Sequence, residues 1–184
     1  MKYIALLRGI NVGGNNRVPM AELKNCFENA ALQNVKTYIN SGNVLFESDE
    51  EDIKKLQTTI EAAIQESFGF PVSVLVISDA TLQSVIKHAP SGFGQKPDLY
   101  HSDVAFLLSG DAWTYAPAIE TNPEVDTVWA GNGVIYYQRL SSKRAKSKMS
   151  KMIAQPFYKQ LTIRNWNTVT KLHTLTAENV ITQK

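Results

Sequence analysis

The chain has one cysteine in 184 residues and no run of apolar residues long enough to span a bilayer. A lone Cys26 cannot close an intramolecular disulfide or supply a cysteine zinc site, and its place inside a helical pattern marks it as a buried packing thiol rather than a nucleophile. The N-terminal segment reads as a strand that soon returns to polar residues, not as a long hydrophobic leader. Charge of one sign is also scarce: 19 Lys and Arg against 17 Asp and Glu leave a net charge of +2, too mild to demand a nucleic-acid partner. The expected setting is a soluble, cytoplasmic protein without membrane attachment. Three histidines, His88, His101 and His173, are scattered without metal-ligand spacing, and no nucleophile elbow or paired-carboxylate motif appears. No metal site is expected, and no residue is assigned to catalysis. Asp103 lies just before a strand and Asp126 in a strand-edge context, but the sequence shows no acid or base partner for either.

What is present is ordinary for a globular chain, 43% hydrophobic and 20% charged. "KYIALLRG" is a short apolar run ended by glycine, which fits a strand. Pro19 opens a helix in which Met20, Leu23, Phe27 and Ala30 recur at helical spacing. "VKTYINSGNVLFES" reads as a hairpin turning at Asn40, Ser41, Gly42 and Asn43. Ser48 and Glu51 form a candidate capping box for a second helix, whose face of Ile53, Leu56, Ile60, Ala63, Ile64 and Phe68 stops at Gly69 before the strand "PVSVLVIS".

The same order returns more weakly. "DVAFLLSG" is followed by a short helix over 111–120, the strand "DTVWAG", a turn at Asn132 and Gly133, and the strand "VIYYQR". A helix over 147–158, with Met149, Met152 and Ile153 inward and a break near Pro156, leads to "LTIRN" and a last helix from about Asn167. A helix over 79–88 and a polar loop join the halves. The pattern predicts an α+β fold of two ferredoxin-like (βαββαβ) plaits in tandem, with mainly antiparallel sheets whose faces are covered. The first plait spans 1–78, the connecting helix and linker 79–102, and the second plait 103–184. Apolar residues on both alternating faces of "YIALL", "VSVLVI" and "VAFLL" argue against an open sheet that reads RNA through exposed aromatics.

"YIALLRGINVGGNNRVPMAEL", "VKTYINSGNVLFES" and, near the C-terminus, "LTIRNWNTVTKL" closely resemble the bacterial domain-of-unknown-function family 1697, in the family's order and over nearly the whole chain. The resemblance implies a small α/β protein without an established activity. It identifies no cofactor.

Topology gathers the polar motifs at two edges. In a split βαβ unit the first two strands run parallel, so the end of the first strand and the hairpin after the second share an edge. That brings Arg8, Asn11, Gly13, Gly14, Asn15 and Arg17 beside Asn40, Ser41 and Asn43. Glycines let a ligand approach main-chain amides, a helix start favours an anion, and arginine can clamp phosphate or carboxylate. The spacing of Gly9, Gly13 and Gly14 matches neither a dinucleotide fingerprint nor a P-loop, and a tight turn with Asn40 and Asn43 as turn formers explains the motif about as well. The second edge collects Arg139, Lys143, Arg144 and Lys146 near Arg164, Asn165 and Trp166. There Trp166 is read as a core anchor first and a stacking surface second. Three functional classes follow: a binder of a small anionic, phosphate- or carboxylate-bearing ligand, which the glycine edge favours; a nucleic-acid-associated protein using the basic 141–151 segment; and a protein-interaction module without a ligand.

Overall fold

The computed structural model describes residues 1–14 and 16–178. The chain divides into two compact units, residues 1–82 together with the chain from Leu172 onward, and Gln83–Lys171. The architecture is α+β, with two four-stranded antiparallel sheets and several helices.

In the first unit, β1 (Lys2–Leu7), α1 (Met20–Asn29), β2 (Gln33–Tyr38), β3 (Asn43–Glu47), α2 (Ile53–Phe68) and β4 (Val74–Ser78) follow one another, and α3 (Asp79–Lys87) comes next. The sheet order is β2-β3-β1-β4, so β1 is central, paired antiparallel with β3 and β4. β1 is buried from Tyr3 to Leu7 on both of its faces, as its unbroken apolar run requires. On one face Tyr3 stacks on Phe46 at 5.6 Å and Phe27 meets Phe46 edge-on at 5.8 Å, with Leu23, Ile60 and Ile64 brought in by α1 and α2. Cys26 is buried on α1, and desolvation raises its thiol pKa, as a packing residue requires.

The cap of α2 differs from the expected capping box. Asp52 caps the helix, its Oδ1 accepting from Lys54 N at 2.9 Å and Lys55 N at 3.2 Å, while Ser48 Oγ accepts from Glu50 N in the preceding turn. An aspartate one residue before the first helical position satisfies the orphan amides directly, leaving Ser48 and Glu51 too early.

In the second unit the strands are β5 (Tyr100–Leu107), β6 (Asp126–Gly131), β7 (Val134–Leu140) and β8 (Leu161–Asn165), in the order β6-β7-β5-β8. The helices are much shorter than the spacing predicts: α4 (Ala112–Tyr115) with a 3-10 turn at Ala116–Ala118, and α5 (Met149–Ile153) with 3-10 turns at Ser141–Lys146 and Pro156–Gln160. Pro117 and Pro156 each lack the N–H an α-helix needs to continue. Met152 is buried, but Ile153 is 56% exposed, contrary to its expected inward place, because a helix of five residues presents too little face to bury both. α6 (Trp166–Glu178) closes the described chain. Among the described residues no helix is long and apolar enough to cross a membrane.

Candidate functional site

The end of β1 and the β2–β3 turn meet as the topology requires: Leu7 N donates to Gly42 O at 2.8 Å. Between them the loop after Arg8 is organised around Asn11. Its Oδ1 accepts from Val18 N at 2.8 Å, and its Nδ2 donates to Val18 O at 2.9 Å and to Asn40 O at 3.0 Å. Asn11 thus ties both ends of the loop to the hairpin. Its φ of 54° lies in the left-handed region, where asparagine is tolerated better than most residues. Asn16 adds a bond from Nδ2 to Gly9 O at 3.3 Å.

Beneath this loop lies an open cavity of about 470 Å³ lined by Asn11, Gly14, Arg17, Val18, Pro19, Met20 and Asn40. Pro19 precedes α1 without a side-chain cap, and the first helical bond of the turn is Leu23 N to Pro19 O. The amides of Met20, Ala21 and Glu22 therefore carry the partial positive charge of an uncapped helix start beside the cavity. The one acidic side chain of that first turn, Glu22, is exposed.

Of the expected residues, Asn11, Gly14, Arg17 and Asn40 line this cavity. Arg8 sits outside the lining, at the end of β1, where its amide donates to Ser73 O at 2.9 Å. Gly13 and Ser41 are exposed neighbours. Asn43 is fully buried and shapes the turn, its Nδ2 donating to Tyr38 O and Ser41 Oγ. Asn15 lies outside the described residues.

At the second edge, β7 and β8 both run antiparallel to β5, so their ends flank the first residues of β5. The cations there are dispersed. Arg139 is nearly buried and donates through Nη2 to Asp103 Oδ2 at 3.1 Å; Lys143 lies 3.5 Å from Glu124 Oε2; Arg144 and Lys146 are exposed. Arg164 is 7% exposed, donates to Thr162 Oγ1 and Ile163 O, and burial brings its guanidinium pKa down to about 10. Asn165 Nδ2 donates to Ser102 O, its Oδ1 accepts from Asn167 N, and Trp166 packs edge-on against Phe93 at 5.1 Å. The sequence shows His101 and Asp103 only singly, with no partner for either; the structure pairs them, with Nε2 and Oδ1 3.1 Å apart. The available signal was their spacing of two, which puts both side chains on one face of a strand once β5 is begun at Tyr100 rather than Asp103. Among the described residues no group of three His, Cys, Asp or Glu is placed to hold a metal ion.

Asp126 has a structural task. Its Oδ2 accepts from Asn122 N at 3.0 Å and Lys148 N at 2.8 Å, pinning the segment after β7 to the start of β6. Burial works to raise its pKa, but the two backbone donors together with the Ser147 and Tyr137 hydroxyls outweigh it and hold the carboxyl below its ordinary 3.8. A depressed folded pKa means stability that is complete above the unfolded value and lost as pH falls through the folded one. Urea melts taken downward from pH 6 should show the wild type losing its advantage over Asp126→Asn only below about pH 4. A gap that narrows steadily from neutral pH contradicts this assignment.

A family model described as "Protein of unknown function (DUF1697)" matches residues 1–136. A solved structure described as a conserved bacterial protein from Streptococcus pneumoniae is 29% identical, with a TM-score of 0.80, over 94% of this chain and 97% of that one. No curated protein matches the chain.

Proposed function

The chain belongs to the DUF1697 family of proteins of unknown function, and from that premise we propose that it binds a small anionic ligand, bearing phosphate or carboxylate, at the start of α1. The observation that carries this reading is the 470 Å³ cavity in which Arg17, two asparagines and an uncapped helix start converge. Unpartnered amides at a helix N-terminus favour negative charge, and Arg17 adds a cation with a planar fork of donors. Asn11 holds the wall in place before a ligand arrives, which lowers the ordering cost of binding. The surrounding scaffold is read as two ferredoxin-like plaits related by duplication, on the ground that both sheets place their strands in the same relative order.

Thermal unfolding across inorganic phosphate, nucleotides, sugar phosphates, small carboxylates and a short single-stranded RNA tests the reading. A ligand at about 100 times its dissociation constant adds about 2.7 kcal/mol, a readily measured rise in Tm. The expected result is a rise with one class of small anion that disappears in Arg17→Ala. No rise, or a rise that survives Arg17→Ala, refutes the site. A rise with RNA alone that collapses with salt assigns binding to the basic 141–151 segment instead.

A further inference from the structure

Far along the chain from the α1 cavity, the first residues of β5 border a separate recess of about 70 Å³ lined by Gly94, Tyr100, His101, Ser102, Asn165 and Trp166, among others. Asp103, 5% exposed, joins two partners there: Oδ2 accepts from Arg139 Nη2 and Oδ1 faces His101 Nε2, each at 3.1 Å. Arg139 fixes the carboxylate, and the carboxylate fixes the imidazole. A hydrogen on Nε2 satisfies Asp103 and leaves the lone pair on Nδ1, which has no hydrogen-bond partner among the described residues. Asn165 Nδ2 also lies 3.4 Å from Nε2 and has a second hydrogen besides the one it donates to Ser102 O at 3.2 Å, but the closer Asp103 carboxylate can only accept, so the hydrogen belongs on Nε2. The other histidines are placed differently. His88 Nδ1 lies 2.8 Å from Ser84 O, and His173 Nδ1 is buried without a hydrogen-bond partner, 3.8 Å from Asp79.

Other parts of the lining are closely packed. Gly94 has φ +71°, and a Cβ there would lie 2.1 Å from Trp166 Cδ1 and 2.2 Å from Nε1, so its backbone is pressed against the indole. Asn165 is held at both ends of its amide. The recess has room for about two waters, the size of one hydroxymethyl group, and the rest of a ligand would stay outside. The charge of Asp103 is matched by Arg139, which suits a neutral group.

We propose that this recess is a proton-acceptor site for the hydroxyl group of a small neutral alcohol or sugar, with His101 as the base and Asp103 as its positioning residue. The substrate O–H bond breaks as the Nδ1–H bond forms. The electron pair stays on the substrate oxygen, whose nucleophilic character grows as the proton moves, and the positive charge developing on the ring faces the Asp103 carboxylate. No oxidant or reductant enters the step.

The full chain, labelled with 15N at histidine, tests this by NMR at neutral pH. His101 should show the tautomer with hydrogen on Nε2, and glycerol should shift its Nδ1 resonance while leaving His88 and His173 in place. Carbethoxylation by diethyl pyrocarbonate should be fastest at His101, and Asp103→Asn should slow it about tenfold and disturb the tautomer, which a merely structural aspartate does not do. A hydrogen on Nδ1, no response to glycerol, or reactivity no greater than that of His88 overturns the proposal. If Asp103→Asn does not fold, the wild-type tautomer, glycerol response and relative reactivity decide alone.

Discussion

Replacing Gly42 by alanine is expected to cost about 3 kcal/mol, because two penalties fall on one atom. Gly42 has φ +75°, and its Cβ would lie 2.8 Å from both Leu7 Cβ and Ile10 Cδ1. Left-handed backbone costs an alanine about 1 kcal/mol, and overpacking a fixed site adds about 2 kcal/mol. Relief by moving the turn is blocked, since Gly42 O accepts from Leu7 N at 2.8 Å and Leu7 is 1% exposed in the central strand. Gly13→Ala is the matched control, with φ +61° and nothing within 4 Å of the added carbon. It should lose only the backbone part, about 1 kcal/mol. Urea unfolding of the two variants measures the difference, and equal losses would show that crowding at Leu7 and Ile10 is relieved without cost.

The contrast between these glycines also shows what a sequence can reveal. "LLRGINVGGNN" and "NSGN" announce turns because glycine and asparagine tolerate positive φ, and the apolar periods between them place β1, α1, α2 and β4 within a few residues. That Gly42 is needed for space as well as for φ depends on Leu7 and Ile10, which local chemistry does not point to. The second unit was less legible for a related reason. Its chain makes short α-helices and 3-10 turns around Pro117 and Pro156, where no full helical period develops. Arg139 lies on β7, but its carboxylate partner is 36 residues away on β5, and pairing across strands leaves no mark on local spacing. A residue's neighbours along the chain constrain its conformation; its charge partner is set by register.

Asn11→Ala carries that lesson to the candidate site, and it is expected to cost about 3 kcal/mol while abolishing any stabilisation by a small anion. The change removes three hydrogen bonds, to Val18 N, Val18 O and Asn40 O. Val18 is 2% exposed, so its two backbone groups lose their partner where water replaces it poorly. Alanine at φ 54° adds backbone strain that asparagine tolerates better. Two further variants separate these causes. Asn11→Gly keeps the conformation without the bonds, whereas Asn11→Asp keeps an acceptor for Val18 N but turns a carboxylate toward the carbonyls of Val18 and Asn40. If the bonds dominate, Asn11→Gly should be nearly as unstable as Asn11→Ala in urea, with Asn11→Asp intermediate near neutral pH. If Asn11→Gly recovers most of the loss, strain dominates and the tie to Asn40 is weak. Phosphate titrations of the same three proteins then connect stability to binding: a wall held by Asn11 predicts that affinity falls in all three although Arg17 is intact, because the arginine and the start of α1 no longer share one fixed cavity.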